Sequence, residues 1–257
     1  MKSLFRAFEK YDVRYLLISG QACVLYGASQ FTEDIDFWIQ PKQQNFHAFL
    51  RAMARMKATV YKLTPPITQT YIRKGHGFHF RVDRDWYIDV MGKPPRVGDF
   101  QRAMRKARKI STEWGMLTVV AHEDLVLLKR TNRPGDYETI SNLVRQRLSE
   151  EPTSRVLRWA LSNTFDIADL IDFALQAAGK IEKWPSRPAV QTLLPLREGQ
   201  THIPEKKIRR ASDYLVKEMA ELQEKGRRYW KPIIADLKNL QRRNRLIPEG
   251  TPVSSLL

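Results

Sequence analysis

The hydrophobic pattern along the chain switches between two periods, and each switch predicts an element. Residues 1–11 carry Leu4, Phe5 and Phe8 at helical spacing, which predicts a short amphipathic helix. Residues 14–19, RYLLIS, form a short apolar run before Gly20, which predicts a buried strand. A helix is expected over 21–28, with Ala22, Leu25 and Tyr26 inward and Gly27 closing it. Residues 34–39, DIDFWI, alternate with period two. That puts Ile35, Phe37 and Ile39 on one face and Asp34, Asp36 and Trp38 on the other, with Pro41 ending the strand. A helix over 43–57 carries Phe46, Phe49, Leu50 and Met53.

Residues 77–82, GFHFRV, and 86–91, WYIDVM, predict two strands around the turn Asp83-Arg84-Asp85. A very basic helix is expected over 99–109 and a strand over 116–120. A helix over 122–130 has His122 beside its cap and Leu125, Leu127 and Leu128 as its core. A further helix over 136–148 follows the break at Pro134-Gly135. Beyond Pro152 the pattern is helical, over 153–162, 166–178, 205–230 and 232–246. Four prolines, at 185, 188, 195 and 204, predict an irregular connection over 184–204. The fold class expected is α/β (α+β), a small mixed sheet flanked by helices and followed by a helical C-terminal region. The expected domains are 1–150 and 151–257, the second basic and helical.

Composition narrows the setting. Hydrophobic residues make up 42%, enough for a sizeable core. The single cysteine, Cys23, excludes an internal disulfide, is expected in the core and favours a reducing, cytoplasmic location. No secretory signal is expected at the N-terminus, and no apolar run approaches the roughly 20 residues that cross a bilayer, so no membrane is expected as a partner. Lys and Arg number 44 against 28 Asp and Glu, a net +16 that runs along the whole chain. A field of that sign attracts polyphosphate or nucleic acid, although it also serves solubility alone.

The chemistry lies in the order Ser19-Gly20, Gly27, Thr32, Asp34-Ile35-Asp36, then Asp89. Side chains two apart on a strand face the same way, so Asp34 and Asp36 converge on one side. Two such charges repel, and a divalent cation with hard oxygen preference, Mg²⁺ or Mn²⁺, removes the conflict. The small-residue turn lets backbone N–H groups approach a polyphosphate. Asp89 stands in an apolar strand, where a carboxylate needs a partner. If that strand lies beside 34–39, Asp89 joins the pair and can accept a proton from an attacking hydroxyl. A D-x-D pair alone is common. Asp34 as a turn acid, Asp36 as a solvated strand residue and Asp89 in an arginine pair are the plainer readings.

The segment ISGQACVLYGASQFTEDIDFWIQP resembles the signature of minimal nucleotidyltransferases of the DNA polymerase β type, closest to the AbiEii/MenT type, some of which are toxins of toxin–antitoxin systems. Ser19-Gly20 stands at the paired small residues, Ala22, Gly27 and Thr32 match, and Asp34 and Asp36 match the D-x-D. Asp89 corresponds to the later acid. Gln30 stands where the family usually has Arg, and Ser19-Gly20 reverses the more usual order. A second stretch, VVAHEDLVLLKRTNRPGDYETISNL, is similar to the family's second signature at Glu123, Asp124, Lys129, Arg133 and Asp136. The resemblance covers roughly residues 13–145. It implies Ser19, Gly20, Thr32, Lys129, Arg133 and Asp136 around a nucleoside triphosphate (NTP), with Lys129 on a phosphate. The plainer reading makes Lys129 a solvated helix residue and Arg133 with Asp136 a loop salt bridge.

Arg102, Arg105, Lys106, Arg108 and Lys109 are candidate contacts to an RNA backbone, or otherwise a solvated face. Tyr229 and Trp230 follow a basic pair and either stack bases or pack the helix. His76 and His79 have no Cys or His cluster to complete a zinc site. The function expected is transfer of a nucleoside monophosphate from NTP to an acceptor hydroxyl on RNA, with tRNA the candidate substrate; the resemblance implies a role in a toxin–antitoxin system, with a cognate antitoxin or toxin protein as partner. The alternatives are transfer to a protein hydroxyl, as in antitoxin-type AMP transferases, and a degenerate module that binds RNA or a partner without chemistry.

Overall fold

The computed structural model describes residues 1–83 and 86–257; Arg84 and Asp85 of the expected turn lie outside the described residues. Elements in chain order are α1 (Lys2–Lys10), β1 (Tyr15–Ile18), α2 (Ser19–Leu25), β2 (Asp34–Ile39), α3 (Gln43–Arg55), β3 (Thr59–Val60), α4 (Gln69–Lys74), β4 (Gly77–Val82) and β5 (Trp86–Met91). They continue with α5 (Phe100–Lys106), β6 (Arg108–Thr112), β7 (Gly115–Val119), α6 (His122–Lys129), α7 (Gly135–Glu150), α8 (Ser154–Asn163), α9 (Ile167–Ala177), α10 (Pro188–Leu193) and α11 (Glu205–Arg242), and a 3₁₀ turn at Val253–Leu256. The fold is mixed α/β: a seven-stranded mixed sheet in the order β3-β4-β5-β2-β1-β7-β6, flanked by helices, with a helical region after it. Among the described residues no helix is long and apolar enough to cross a membrane.

The chain forms two compact units. The first holds 1–25, 30–128 and 229–257 and contains the whole sheet. Its core lies on the apolar face of β2, where Phe37 meets Phe5 and Phe8 of α1 at 6.0 and 5.1 Å and Tyr15 of β1 at 5.4 Å. Phe46 and Phe49 of α3 pack on Phe78 and Phe80 of β4 on the same face. Edge-to-face pairs of this kind each contribute about 0.5–1.5 kcal/mol beyond burial. The edge strand β3 is covered by the returning tail, where Val60 N–H donates to Thr251, Gly250 N–H to Val60, Val253 N–H to Ala58 and Ile247 N–H to Thr64. An otherwise open edge is thereby paired. Cys23 is buried without a disulfide.

The second unit holds 26–29 and 129–228. There α7, α8 and α9 pack in sequence, Ser141 of α7 taking hydrogen bonds from Thr164 Oγ1 at 3.3 Å and Phe165 N–H at 3.0 Å. Arg187 is buried, donating to Glu218, Leu161 O and Thr164 O.

Three expected elements differ. The basic helix ends at Lys106, and Arg108 and Lys109 lie on β6, paired opposite Val119 and Thr118. Ala107 is extended, and the β-branched residues Ile110 and Thr112 favour a strand over another helical turn. The two helices expected over 205–230 and 232–246 are one, α11, which carries Pro232 inside it and runs on to Arg242. A helix-interior proline costs about 3 kcal/mol, but Ile233 and Leu240 beyond it are buried and hold the helix on course. The connection 184–204 contains a short helix, α10, which begins on Pro188 as a first-turn proline can. In α6, Leu125 and Val126 are buried, whereas Leu127 and Leu128 are only half-buried.

His76, 1% exposed, sits against Asp236 with Nε2 3.2 Å from Oδ2, under the edge of Tyr71 and near Lys74. Burial holds its imidazole below the ordinary histidine value, with Asp236 opposing and Lys74 assisting. The unfolded chain therefore takes up this proton first. Stability from this group is complete above about pH 6.5 and declines as pH falls below it. The melting temperature should fall between pH 7.5 and 5.5 by roughly 2–4 °C more in the native chain than in His76→Gln. Equal losses in the two would remove His76 as the cause.

Candidate active site

β5 lies parallel to β2, with Asp36 opposite Asp89, Asp34 opposite Tyr87 and Trp38 opposite Met91. Partners in this register share a face, so Asp34, Asp36 and Asp89 stand on one side of the two central strands. The sequence condition placed on Asp89 is met. The opposite face of the same strands is the aromatic core, so the carboxylate face is held by buried packing behind it. Trp38 shares the carboxylate face, donating its indole N–H to Gly92 O at 3.1 Å and meeting Phe100 of α5 at 5.7 Å. That contact brings α5 to this face, with Arg102, Arg105 and Lys106 exposed along it; Arg108 and Lys109 are exposed on β6.

Burial and the negative charge of Asp89 push the Asp34 carboxyl above the usual carboxylate range, Glu33 adding to the rise and Lys62 and His79 opposing it. Asp89 is engaged by two cations or potential cations: His79 Nδ1 lies 2.7 Å from Oδ1 and Lys62 Nζ 3.9 Å from Oδ2. Both partners were missed in the sequence. The signal for His79 was present, because alternation in GFHFRV puts it on the polar side of β4, and the antiparallel register sets it opposite Asp89. Tyr61 and Tyr87 meet on this side of the sheet, their rings 4.4 Å apart and tilted by 44°.

Three carboxylates on one face match a divalent cation in donor chemistry. Among the described residues no three His, Cys, Asp or Glu side chains already stand as a ligand cluster. Asp89 directs one oxygen to His79 and the other toward Lys62.

Ser19 and Gly20 form the first turn of α2, which begins two residues earlier than expected, and adjoin this face, since Ile18 pairs with Asp36 across the β1–β2 ladder. Ser19 has φ of 57°, a left-handed conformation for a non-glycine residue. Such strain costs on the order of 1–3 kcal/mol and persists where the surroundings enforce it. Ser19→Gly should raise stability by about 1 kcal/mol, read by urea denaturation; a loss would show that the serine side chain contributes more than the strain costs. Gly20 lies against Thr32, and a Cβ there would collide with the Thr32 side chain. Thr32 Oγ1 also reaches Asp34 O at 3.4 Å. Thr32 therefore ties the turn to the carboxylate strand.

Of the second signature, Lys129, Arg133 and Asp136 lie in the second unit, whereas Glu123 and Asp124 lie in the first. Asp136 is buried and accepts from Lys129 Nζ at 3.0 Å and from the Thr131 hydroxyl, with Arg133 Nε at 3.8 Å and mostly exposed. Thr131 was not anticipated. Arg133 and Asp136 form the local loop contact, and Lys129 is part of the same network. Asp124 on α6 is pushed up by burial, with Lys106 and Arg102 opposing.

No family model and no curated protein matches the chain.

Proposed function

We propose that the chain is a metal-dependent nucleotidyltransferase that moves a nucleoside monophosphate from NTP to an acceptor hydroxyl, with RNA as the favoured acceptor. The observation that carries this reading is the register of β2 and β5, which aligns Asp36 with Asp89 on the face that also holds Asp34. The strained Ser19-Gly20 turn beside it is the second support.

In this reading Asp34, Asp36 and Asp89 would hold Mg²⁺ or Mn²⁺, which when bound supplies positive charge for the phosphate oxygens. Asp89 takes the proton of the acceptor hydroxyl as the acceptor oxygen bonds to the α-phosphorus. The bond from the α-phosphorus to the bridging oxygen breaks, and pyrophosphate leaves. His79 holds the Asp89 carboxylate in position through its Nδ1 contact. The backbone N–H groups of the Ser19-Gly20 turn receive phosphate oxygens. The net +16 charge and the exposed arginines of α5 favour a polyanionic acceptor. The network around Lys129 belongs to the second unit, and the reading stands without it.

Incubation with total RNA, Mg²⁺ and each NTP labelled at the α-phosphate tests the proposal. Label is expected in RNA. Label in protein instead would make this a protein nucleotidyltransferase. Absence of label from both, with intact protein, would reduce the chain to a binding module.

A further inference from the structure

A cavity of about 620 Å³ opens in the first unit between residues 30–33, the start of α2 and the start of β5. It is distinct in character from the carboxylate face but touches it: Glu33 precedes Asp34, and Tyr87, which also lines the cavity, is the register partner of Asp34. Its walls are aromatic. Trp86 and Trp114 line it, and Trp114 is backed by Phe5, the rings 6.5 Å apart and 15° from parallel. Phe31 stands at its rim 74% exposed, which packing in the core does not explain. Its polar lining comprises the Met1 amino terminus, Gln21, Gln30, Thr32, Glu33 and Tyr87. Gln21, only 9% exposed, lines the cavity with a carboxamide that has no hydrogen-bond partner among the described residues. Gln30 and Glu33 are exposed on the same lining.

A volume in this range with apolar walls and a few polar groups is the usual form of a small-molecule site. Flat aromatic walls favour a flat ligand by stacking. Gln21 offers a donor and an acceptor side by side, the pattern that reads the edge of a base. Glu33 is acceptor-only when ionised, so it favours an N–H at the base edge and repels a carbonyl oxygen there.

We infer that this cavity is a nucleobase pocket selective for a base bearing an exocyclic amine (adenine, cytosine or guanine) over uracil. The inference rests on the nucleotidyltransferase reading for its purpose, since the pocket would set a base beside Asp34, but not for its binding. The base belongs either to the incoming NTP or to the terminal nucleotide of the acceptor strand.

Titrations of the full chain, followed by tryptophan fluorescence and calorimetry, separate these sources. One arm uses ATP, CTP, GTP and UTP with Mg²⁺; the other uses single-stranded RNA hexamers that differ only in the 3′-terminal base. A preference of roughly tenfold for amine-bearing bases is expected in one arm, and that arm identifies the source. Phe31→Ala, at a position too exposed to threaten folding, should weaken binding in that arm roughly tenfold. Glu33→Gln should narrow the discrimination against uracil. Trp86→Phe should reduce the fluorescence change while keeping most of the affinity. Equal binding of all four bases in both arms, or affinities unchanged by Phe31→Ala and Glu33→Gln, would overturn the pocket. Its failure is distinguishable from failure of the transferase reading. Label transfer that persists without base-selective binding sinks the pocket alone. Base-selective binding without any transfer sinks the transferase alone.

Discussion

Asp36→Ala is expected to lower label transfer from NTP by on the order of a hundred- to a thousandfold, while leaving the folded chain at least as stable as before. The two halves of this result have one cause. Asp36 faces Asp89 across the parallel β2–β5 pair, and Asp34 stands two residues away on the same side. Asp34 already shows the effect of this crowding, its carboxyl being pushed up by burial and by the charge of Asp89. Removing a negative group from this face relieves repulsion but takes away one of the oxygens that would hold the cation. The sign for Asp34 follows from linkage. Its folded carboxyl binds a proton more tightly than the unfolded one, so the stabilisation is present at acid pH and is lost as pH rises through the raised value. Asp34→Asn should therefore gain stability relative to the native chain between pH 4 and pH 7, measured by urea denaturation at each pH. Full transfer activity in Asp36→Ala would end the metal-dependent reading. A large fall in its stability would mean that the carboxylate is a structural group.

Gly20→Ala should weaken both folding and transfer. The new methyl group would enter the space of the Thr32 side chain at a separation that real Cβ atoms do not adopt. Overpacking of this kind costs about 1–3 kcal/mol. It also moves the Ser19-Gly20 turn away from the strand that Thr32 precedes. A displacement of about 1 Å between the proposed phosphate-binding turn and the carboxylates can cost up to roughly a hundredfold in rate. Thr32→Gly in the same chain restores the space, so the double variant should recover much of the lost stability, a coupling that denaturation of the four chains measures directly. If Gly20→Ala alone proves as stable and as active as the parent, the close approach has no role.

The elements that carry the carboxylates were legible because each has two unlike faces. In DIDFWI and WYIDVM the alternation separates Asp34, Asp36 and Asp89 from Ile35, Phe37, Ile88 and Val90, and the buried core selects the register. Gln43–Arg55 was legible for the same reason at helical period. The His79–Asp89 contact was not, because it depends on which strand lies beside which, and nothing local in GFHFRV names its neighbour. Arg108 and Lys109 were misassigned to a helix because basic residues are good helix formers, whereas pairing with β7 decided the outcome. The helices expected over 205–230 and 232–246 are one continuous helix, because distant burial of Ile233 and Leu240 outweighs the local cost of Pro232. Nothing in the sequence of residues 247–253 announces that they pair with β3, since a few short backbone contacts leave no periodic trace.

That last pairing has a consequence for synthesis. The sheet strands are all encoded before residue 120, yet the unit that contains them also takes in residues 229–257, after an intervening unit of about a hundred residues. A growing chain thus displays β3 with one edge open throughout translation of the second unit. The carboxylate-bearing half becomes a finished body only once the tail emerges from the ribosome and docks. Release by premature termination or cleavage before that moment would leave a fragment whose β3 edge is open and whose sheet-bearing unit lacks its closing segment.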